Sequence, residues 1–318
     1  MIDFADNRAM CRVRRLLLTT GLAMLLPIGG CHKRESAPAG PQTFASPQDA
    51  GKAVEDAAKS QDVNQVLVVF GPEVREILAS GDDTENKAAL RSFATAYQVM
   101  NRWRKLPDGG RLLVVGADNQ VFPIPLKKNA AGQWYFDTAA GKDEMLSRRI
   151  GRNELTTIDV CAAIADAQAQ YLSQKHGGVR QFAQKFLRDP GQQDGLYWES
   201  PVGAPRSPLG PLAVNASAEG YRPDPNHHQA YHGYYYLMLD SQGPGAIGGA
   251  RNYLVNGKMT GGYAVVAYPA NYGQSGIMTF MFNQDGPLIQ KDLGKSTDQV
   301  ASAITEFDPD KSWTVVEK

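Results

Sequence analysis

Apolar residues recur along this chain at two periods, every third or fourth position in some stretches and every second in others, and the switch between them predicts its elements. Ser46-Pro47-Gln48-Asp49 has the order of a helix start: a capping hydroxyl, a proline suited to the first helical position, and an acid where a capping box places one. Ala50, Val54 and Ala57 continue at helical spacing. Val63, Val66, Leu67 and Phe70 predict a second helix stopped by Gly71-Pro72, and Val74, Ile77 and Leu78 a third that ends near Gly81. From Thr84 a longer helix places Leu90, Phe93, Tyr97 and Met100 on one face. The period then falls to two. Residues 111–115, 121–126 and 133–137 read as strands, with Pro123 and Pro125 marking an edge or a bulge in the second.

The sequence of events then repeats. Asn153 is placed to cap a long helix in which Leu155, Ile158, Ala162, Ala165, Ala169 and Leu172 recur, ending near Gly177-Gly178. Phe182 and Phe186 predict a shorter helical piece before Pro190-Gly191. From Asp194 the composition turns to glycine, proline and aromatics, which predicts strands and turns: 231–239, 252–255 leading into the Asn256-Gly257 hairpin, 263–268, 277–283, and 288–291 after Asp285-Gly286. A last helix starts at Ser296, with Gln299 three residues on, and 313–316 reads as an edge strand. Helices preceding an antiparallel meander, twice, predict an α+β protein with one unit over residues 45–147 and another over 148–318. The first order resembles the nuclear-transport-factor-2-like or cystatin-like cone. The second resembles the globular head of type IV pilins, without their hydrophobic stem.

The N-terminal segment reads as an address. Arg12, Arg14 and Arg15 precede the apolar run Leu16 to Leu26, too short to span a bilayer, and Ile28-Gly29-Gly30-Cys31 follows. This resembles a bacterial lipobox, in which the Cys31 thiol receives diacylglycerol. More than one acyl chain is needed for stable anchoring, since each buried methylene contributes only about 0.8 kcal/mol. Asp3 and Asp6 are unusual ahead of such a leader, so Met10 is an alternative start to Met1. Arg14-Arg15 suggests twin-arginine export, but Leu16-Leu17-Leu18 fits it poorly and general secretion is preferred. His32, where inner-membrane retention uses aspartate, favours the periplasmic face of the outer membrane. Residues 32–44 read as a polar tether.

Charge narrows the partners. Lys+Arg and Asp+Glu both number 33, and a neutral chain has no global electrostatic reason to seek nucleic acid. Of three cysteines, Cys11 is lost with the leader, Cys31 carries lipid, and Cys161 lies on an apolar helical stretch as a buried thiol, so packing rather than disulfides stabilises the fold.

Several segments occur together in a familiar order: Phe122-Pro123-Ile124-Pro125-Leu126, Phe136-Asp137-Thr138-Ala139-Ala140-Gly141, Arg148-Arg149-Ile150-Gly151-Arg152-Asn153-Glu154-Leu155, Asp194-Gly195-Leu196-Tyr197-Trp198, Ser207-Pro208-Leu209-Gly210-Pro211-Leu212, Tyr231-His232-Gly233-Tyr234-Tyr235 and Asn283-Gln284-Asp285-Gly286. They resemble the bacterial envelope family known as domain of unknown function 2950, over nearly all of the chain after the tether. The resemblance implies a secreted or lipid-anchored protein and carries no catalytic residues, substrate or cofactor with it.

Candidate chemistry is sparse. His228 and His232 are spaced to share a helical face and bind a metal, but Pro223, Pro225 and the strand pattern from Tyr231 point instead to local hydrogen bonding. Tyr234, Tyr236 and Trp198 are the candidate ligand-binding residues, for a glycan or peptide on an aromatic surface. The alternative is ordinary cross-strand pairing, with Tyr235, Leu237 and Leu239 facing the core and Tyr234 and Tyr236 facing out. Arg148, Arg149 and Arg152 beside Glu144 and Glu154 suit either an anionic headgroup or an ion network. Gly273-Gln274-Ser275-Gly276 lacks the last glycine of a nucleophile elbow because residue 277 is Ile, and Asp308-Pro309-Asp310 reads as a turn. No cofactor motif stands out.

These features predict a lipid-anchored envelope protein, held to a membrane through Cys31, that binds a ligand or an envelope partner without catalysis. The alternatives are a cell-envelope hydrolase whose carboxylates meet on folding and a structural subunit of an envelope assembly. Metabolic labelling with a clickable fatty acid is expected to tag the wild-type protein and to fail on Cys31→Ser; equal labelling of both contradicts the address.

Overall fold

The computed structural model describes residues 40–192, 194–201, 203–204, 206–222 and 229–317; Cys31, His227 and His228 lie outside them. Within residues 38–318 the chain forms one compact unit. Helix starts fall where short polar side chains stand. Ser46 Oγ accepts from the Asp49 amide at 3.1 Å and opens α1 (Pro47–Ser60). Asp62 caps α2 (Val63–Phe70) through the Asn64 amide at 2.9 Å. After α3 (Val74–Leu78), Asp82 caps α4 (Asp83–Val99), its Oδ1 accepting from the Glu85 amide at 2.9 Å.

The helices pack on a five-stranded antiparallel sheet of β1 (Asn101–Lys105), β2 (Arg111–Val115), β3 (Gln120–Val121), β4 (Leu126–Lys128) and β5 (Trp134–Phe136). Its order is β1-β2-β4-β5, with β3 paired to β2. Phe136 is the centre of this core: the rings of Phe70, Phe44, Phe122 and Trp103 lie 4.9 to 6.4 Å from its own. The strand expected at 121–126 is broken, because Pro123 and Pro125 cannot donate to a ladder.

The long helix differs most from expectation. Asn153 does not start it. Asp137 does, with Oδ1 accepting from the Ala140 amide at 3.3 Å, and α5 (Thr138–Leu172) then runs 35 residues without interruption past the expected boundary at 147–148. Its first turn is fixed to the first core: Thr138 Oγ1 donates to Phe70 O at 2.7 Å. Gly141 lies against the Pro123–Ile124 backbone, where a Cβ would stand 2.6 Å from Ile124 Cα.

Two short pairs follow, β6 (Lys175–His176) with β7 (Val179–Arg180), and the parallel β8 (Lys185–Leu187) with β9 (Gly195–Tyr197). Phe186 is thus in a strand, and Phe182 donates its amide to Met259 O at 2.9 Å, so the helical piece expected there does not form. Two apolar residues four apart fit a helix, but tertiary pairing decides the conformation of so short a run. The Gln168 side chain fixes the register of this segment: Nε2 donates to Ala183 O at 2.9 Å and Oε1 accepts from the Ala183 amide at 2.8 Å. An unexpected helix, α6 (Gly210–Glu219), comes next, with a proline in its first turn and Gly220 closing it.

β10 (Tyr234–Leu239) enters the second main sheet, and β11 (Ser241–Gln242) pairs with β12 (Arg251–Asn252). β13 (Leu254–Val255) and β14 (Lys258–Met259) flank the predicted Asn256-Gly257 tip. β15 (Ala264–Pro269), β16 (Met278–Asn283) and β17 (Ile289–Asp292) follow, then α7 (Thr297–Ser302) and β18 (Thr314–Val315). The antiparallel order is β10-β15-β16-β17-β18.

Every residue of β15 is buried, so this sheet is covered on both faces. Tyr236, paired with Ala267, donates its hydroxyl to Thr157 Oγ1 of α5 at 3.2 Å. Tyr235, its neighbour on the opposite face, packs on Tyr268 at 5.5 Å between centroids, and α7 packs on β15. The expectation that Tyr234 and Tyr236 face outward is therefore corrected: no outward row exists. Tyr234 is fully buried, with its hydroxyl donating to Met278 O at 2.9 Å.

The Gly141 contact is testable against propensity. Alanine gains about 1 kcal/mol in a helix interior, whereas forcing a methyl into packed backbone costs about 1–3 kcal/mol. Gly141→Ala is expected to lower the urea midpoint; a raised midpoint contradicts the contact.

Candidate functional site

Between α5, the β8–β9 pair, α6 and β10 the chain leaves a cavity of about 590 Å³, inside the usual range of about 300–1,000 Å³ for small-ligand sites. The elements that enclose it supply mostly apolar groups: Val160 and Ile164 from α5, Phe186 and Tyr197 from the strand pair, Leu212, Ala213 and Ala216 from α6, and Tyr236 from β10. α6 explains why the space stays open. None of its residues is buried, and Leu212, Ala213, Ala216 and Ser217 form one side of the cavity, which opens to solvent. Lys185, Arg188, Asp189 and Arg222 add charge to the lining.

Tyr221, on the lining, connects to a buried polar network. Asp82 Oδ2 accepts from the Tyr221 hydroxyl at 2.8 Å and from the Gly233 amide at 3.1 Å, while Oδ1 caps α4. The Tyr221 hydroxyl in turn accepts from the His232 amide at 3.1 Å. Burial, then the adjacent Asp82 charge, pushes the Tyr221 phenol far above its ordinary range, so it acts as a fixed donor. Asn153 Nδ2 donates to Ser275 O at 3.0 Å and to Glu85 Oε2 at 3.2 Å. Gly233 has φ of 72° and leaves room for a Cβ only 2.5 Å from Asn153 Nδ2, so glycine is required on both counts. Burial raises the Glu85 carboxyl, with Arg149 opposing, and burial lowers the Arg149 guanidinium, with Glu85 opposing. These groups join α4, α5, Tyr221, Gly233 and Ser275 into one network.

The residues singled out by sequence do not converge on one place. Tyr236 lines the apolar cavity, and burial holds its phenol well above the usual range. Tyr234 is in the core and does not line that cavity. Trp198 lines a second, more polar cavity of about 380 Å³ together with Gln170, Gln174, Glu199 and Arg206, next to Tyr171 stacked on His176 at 3.6 Å. Arg188 lines both cavities.

His232 Nε2 lies 2.8 Å from Glu219 Oε2, an ion-pair geometry, and its would-be partner His228 lies outside the described residues. Among the described residues no group of three or more histidines, cysteines or acids could hold a metal. Of the arginine and glutamate cluster, Arg148 pairs with Glu144 at 2.7 Å, while Glu154 Oε1 accepts from the Ile277 and Met278 backbone amides at 2.9 and 3.0 Å. Ser275 is buried and donates to Asn271 O at 3.1 Å, as a turn residue rather than a nucleophile. Burial pushes the Cys161 thiol up to about 12, as expected of a core cysteine.

Sequence reading missed Phe186, Tyr221, Arg188, Arg222 and the α6 residues as a group. The available signal was Pro211 and Gly220 bracketing Leu212, Ala213 and Ala216, a helix with a start and a stop inside a segment otherwise dominated by turn residues.

No curated protein and no solved structure matches this chain. A family model described as protein of unknown function (DUF2950) matches residues 41–316, which takes in both sheets, the long helix and the cavity. The chain belongs to the DUF2950 family.

Proposed function

We propose that this is an exported envelope protein, held to a membrane by lipid on Cys31, whose folded body binds a small apolar ligand in the 590 Å³ cavity. The cavity carries the reading. A void of that size lined by Ile164, Phe186, Leu212 and Tyr236 gains free energy when apolar surface replaces water in it, at about 25 cal/mol per Å² buried. Among the described lining residues Asp189 is the single acid and most of the groups are apolar, so binding rather than hydrolysis is the activity the lining favours.

The address is supported by the leader pattern alone: Arg12, Arg14, Arg15, the apolar run and the Ile28-Gly29-Gly30-Cys31 segment. No helix among the described residues is long and apolar enough to cross a membrane. On this reading acyl chains on Cys31 supply the attachment, and the periplasmic face of the outer membrane is the expected location.

Titration with a neutral, environment-sensitive dye such as N-phenyl-1-naphthylamine tests the reading. Saturable, blue-shifted fluorescence is expected with the wild type. Ala216→Phe, which fills the cavity from α6, is expected to weaken it about tenfold or more, equivalent to about 1.4 kcal/mol. A dye that does not bind the wild type, or binds both proteins equally, contradicts the proposal.

A further inference from the structure

The charges around the cavity are not balanced. Among the described residues that line it, Lys185, Arg188 and Arg222 face one acid, Asp189. Lys185 is locally neutralised, its Nζ lying 2.5 Å from Asp189 Oδ2 and 3.3 Å from Asp194 Oδ2. The two arginines differ. Arg188 Nη1 donates to Gln192 O at 3.3 Å, and Arg222 Nη1 donates to Ser217 O at 2.9 Å and Tyr221 O at 2.8 Å. Backbone carbonyls orient a guanidinium without cancelling its charge, and each keeps further N–H donors for an anion. Among the described residues neither guanidinium meets a carboxylate within 4.0 Å.

An apolar cavity with two oriented guanidiniums that meet no carboxylate among the described residues is complementary to one kind of molecule. We propose that the ligand is an anionic single-chain amphiphile, an unbranched apolar tail ending in a carboxylate or a phosphate. This rests on the cavity being a binding site, as proposed above. The tail lies against Ile164, Phe186, Leu212 and Tyr236, and the head is held by Arg188 and Arg222. Arg188 also borders the polar cavity at Trp198, which gives the charged end a hydrated side to face.

Calorimetry on the exported full chain carrying Cys31→Ser, purified without detergent, compares dodecanol, dodecanoate and dodecyl phosphate below their micellar concentrations. At low salt at least one anion is expected to bind about tenfold or more tightly than the alcohol, because charge-assisted hydrogen bonds outweigh neutral ones. The better anion identifies the head. The preference is expected to shrink as salt is raised, and to approach unity in Arg188→Gln/Arg222→Gln. Equal binding of alcohol and anions by the wild type overturns this inference while leaving the apolar site intact. So does a preference that neither salt nor the double variant changes. Binding of none of the three overturns the site itself and the inference with it. The salt series uses the wild type only, so the test stands even where the double variant fails to fold.

Discussion

The arrangement depends on one buried carboxylate. Asp82 caps α4 with one oxygen and holds Tyr221 and Gly233 with the other. A buried charge is tolerated only when its lone pairs are satisfied, and three donors from two distant parts of the chain do so here. The consequence is geometric. The start of β10 and the loop before it are fixed to a helix that belongs to the first core, and Tyr221, which lines the cavity, is positioned by that same bond. Arg91 adds a second tie, Nη2 donating to Glu219 O at the end of α6 at 2.9 Å. The cavity is therefore bordered by a helix whose own residues are not buried but whose end is pinned from outside.

This explains how an open chamber persists beside well-packed cores. The second core is dense, with Ala264, Val265, Val266 and Ala267 buried between α5 and α7. Collapse of α6 onto β10 would close the chamber but would pull Tyr221 and Glu219 from their partners. A hydrogen bond to a charged group contributes about 1.5–3 kcal/mol, comparable to what burying one further apolar side chain would gain at about 1.5–3 kcal/mol. The polar network thus offsets the drive to fill the space, and a ligand can gain what the protein leaves unburied.

Much of the fold was legible in the sequence, for identifiable reasons. Ser46-Pro47 marks a helix start, Asn256-Gly257 and Asp285-Gly286 lie between paired strands, and the strand at Arg111–Val115 has the bounds read from the sequence. What failed were features set by contacts far along the chain. Asp137 competes with Asn153 as a cap, and nothing local says that Asn153 spends its amide on Ser275 O. The tyrosine parity failed because a strand shows alternation but not whether a second layer covers the outer face. Of the site, Tyr236 was legible as an aromatic on a strand; Arg188 and Arg222 were not, since only the fold places both on the lining of one cavity.

Asp82 holds the β10 entry to α4. Hydrogen exchange at the Gly233 and Glu85 amides, which donate to its two oxygens, tests it most directly. Both are predicted to be protected in the wild type and to lose protection together in Asp82→Ala, while the amides of Val265 and Val266 in the central strand keep theirs. A Gly233 amide that stays protected in Asp82→Ala would contradict the account.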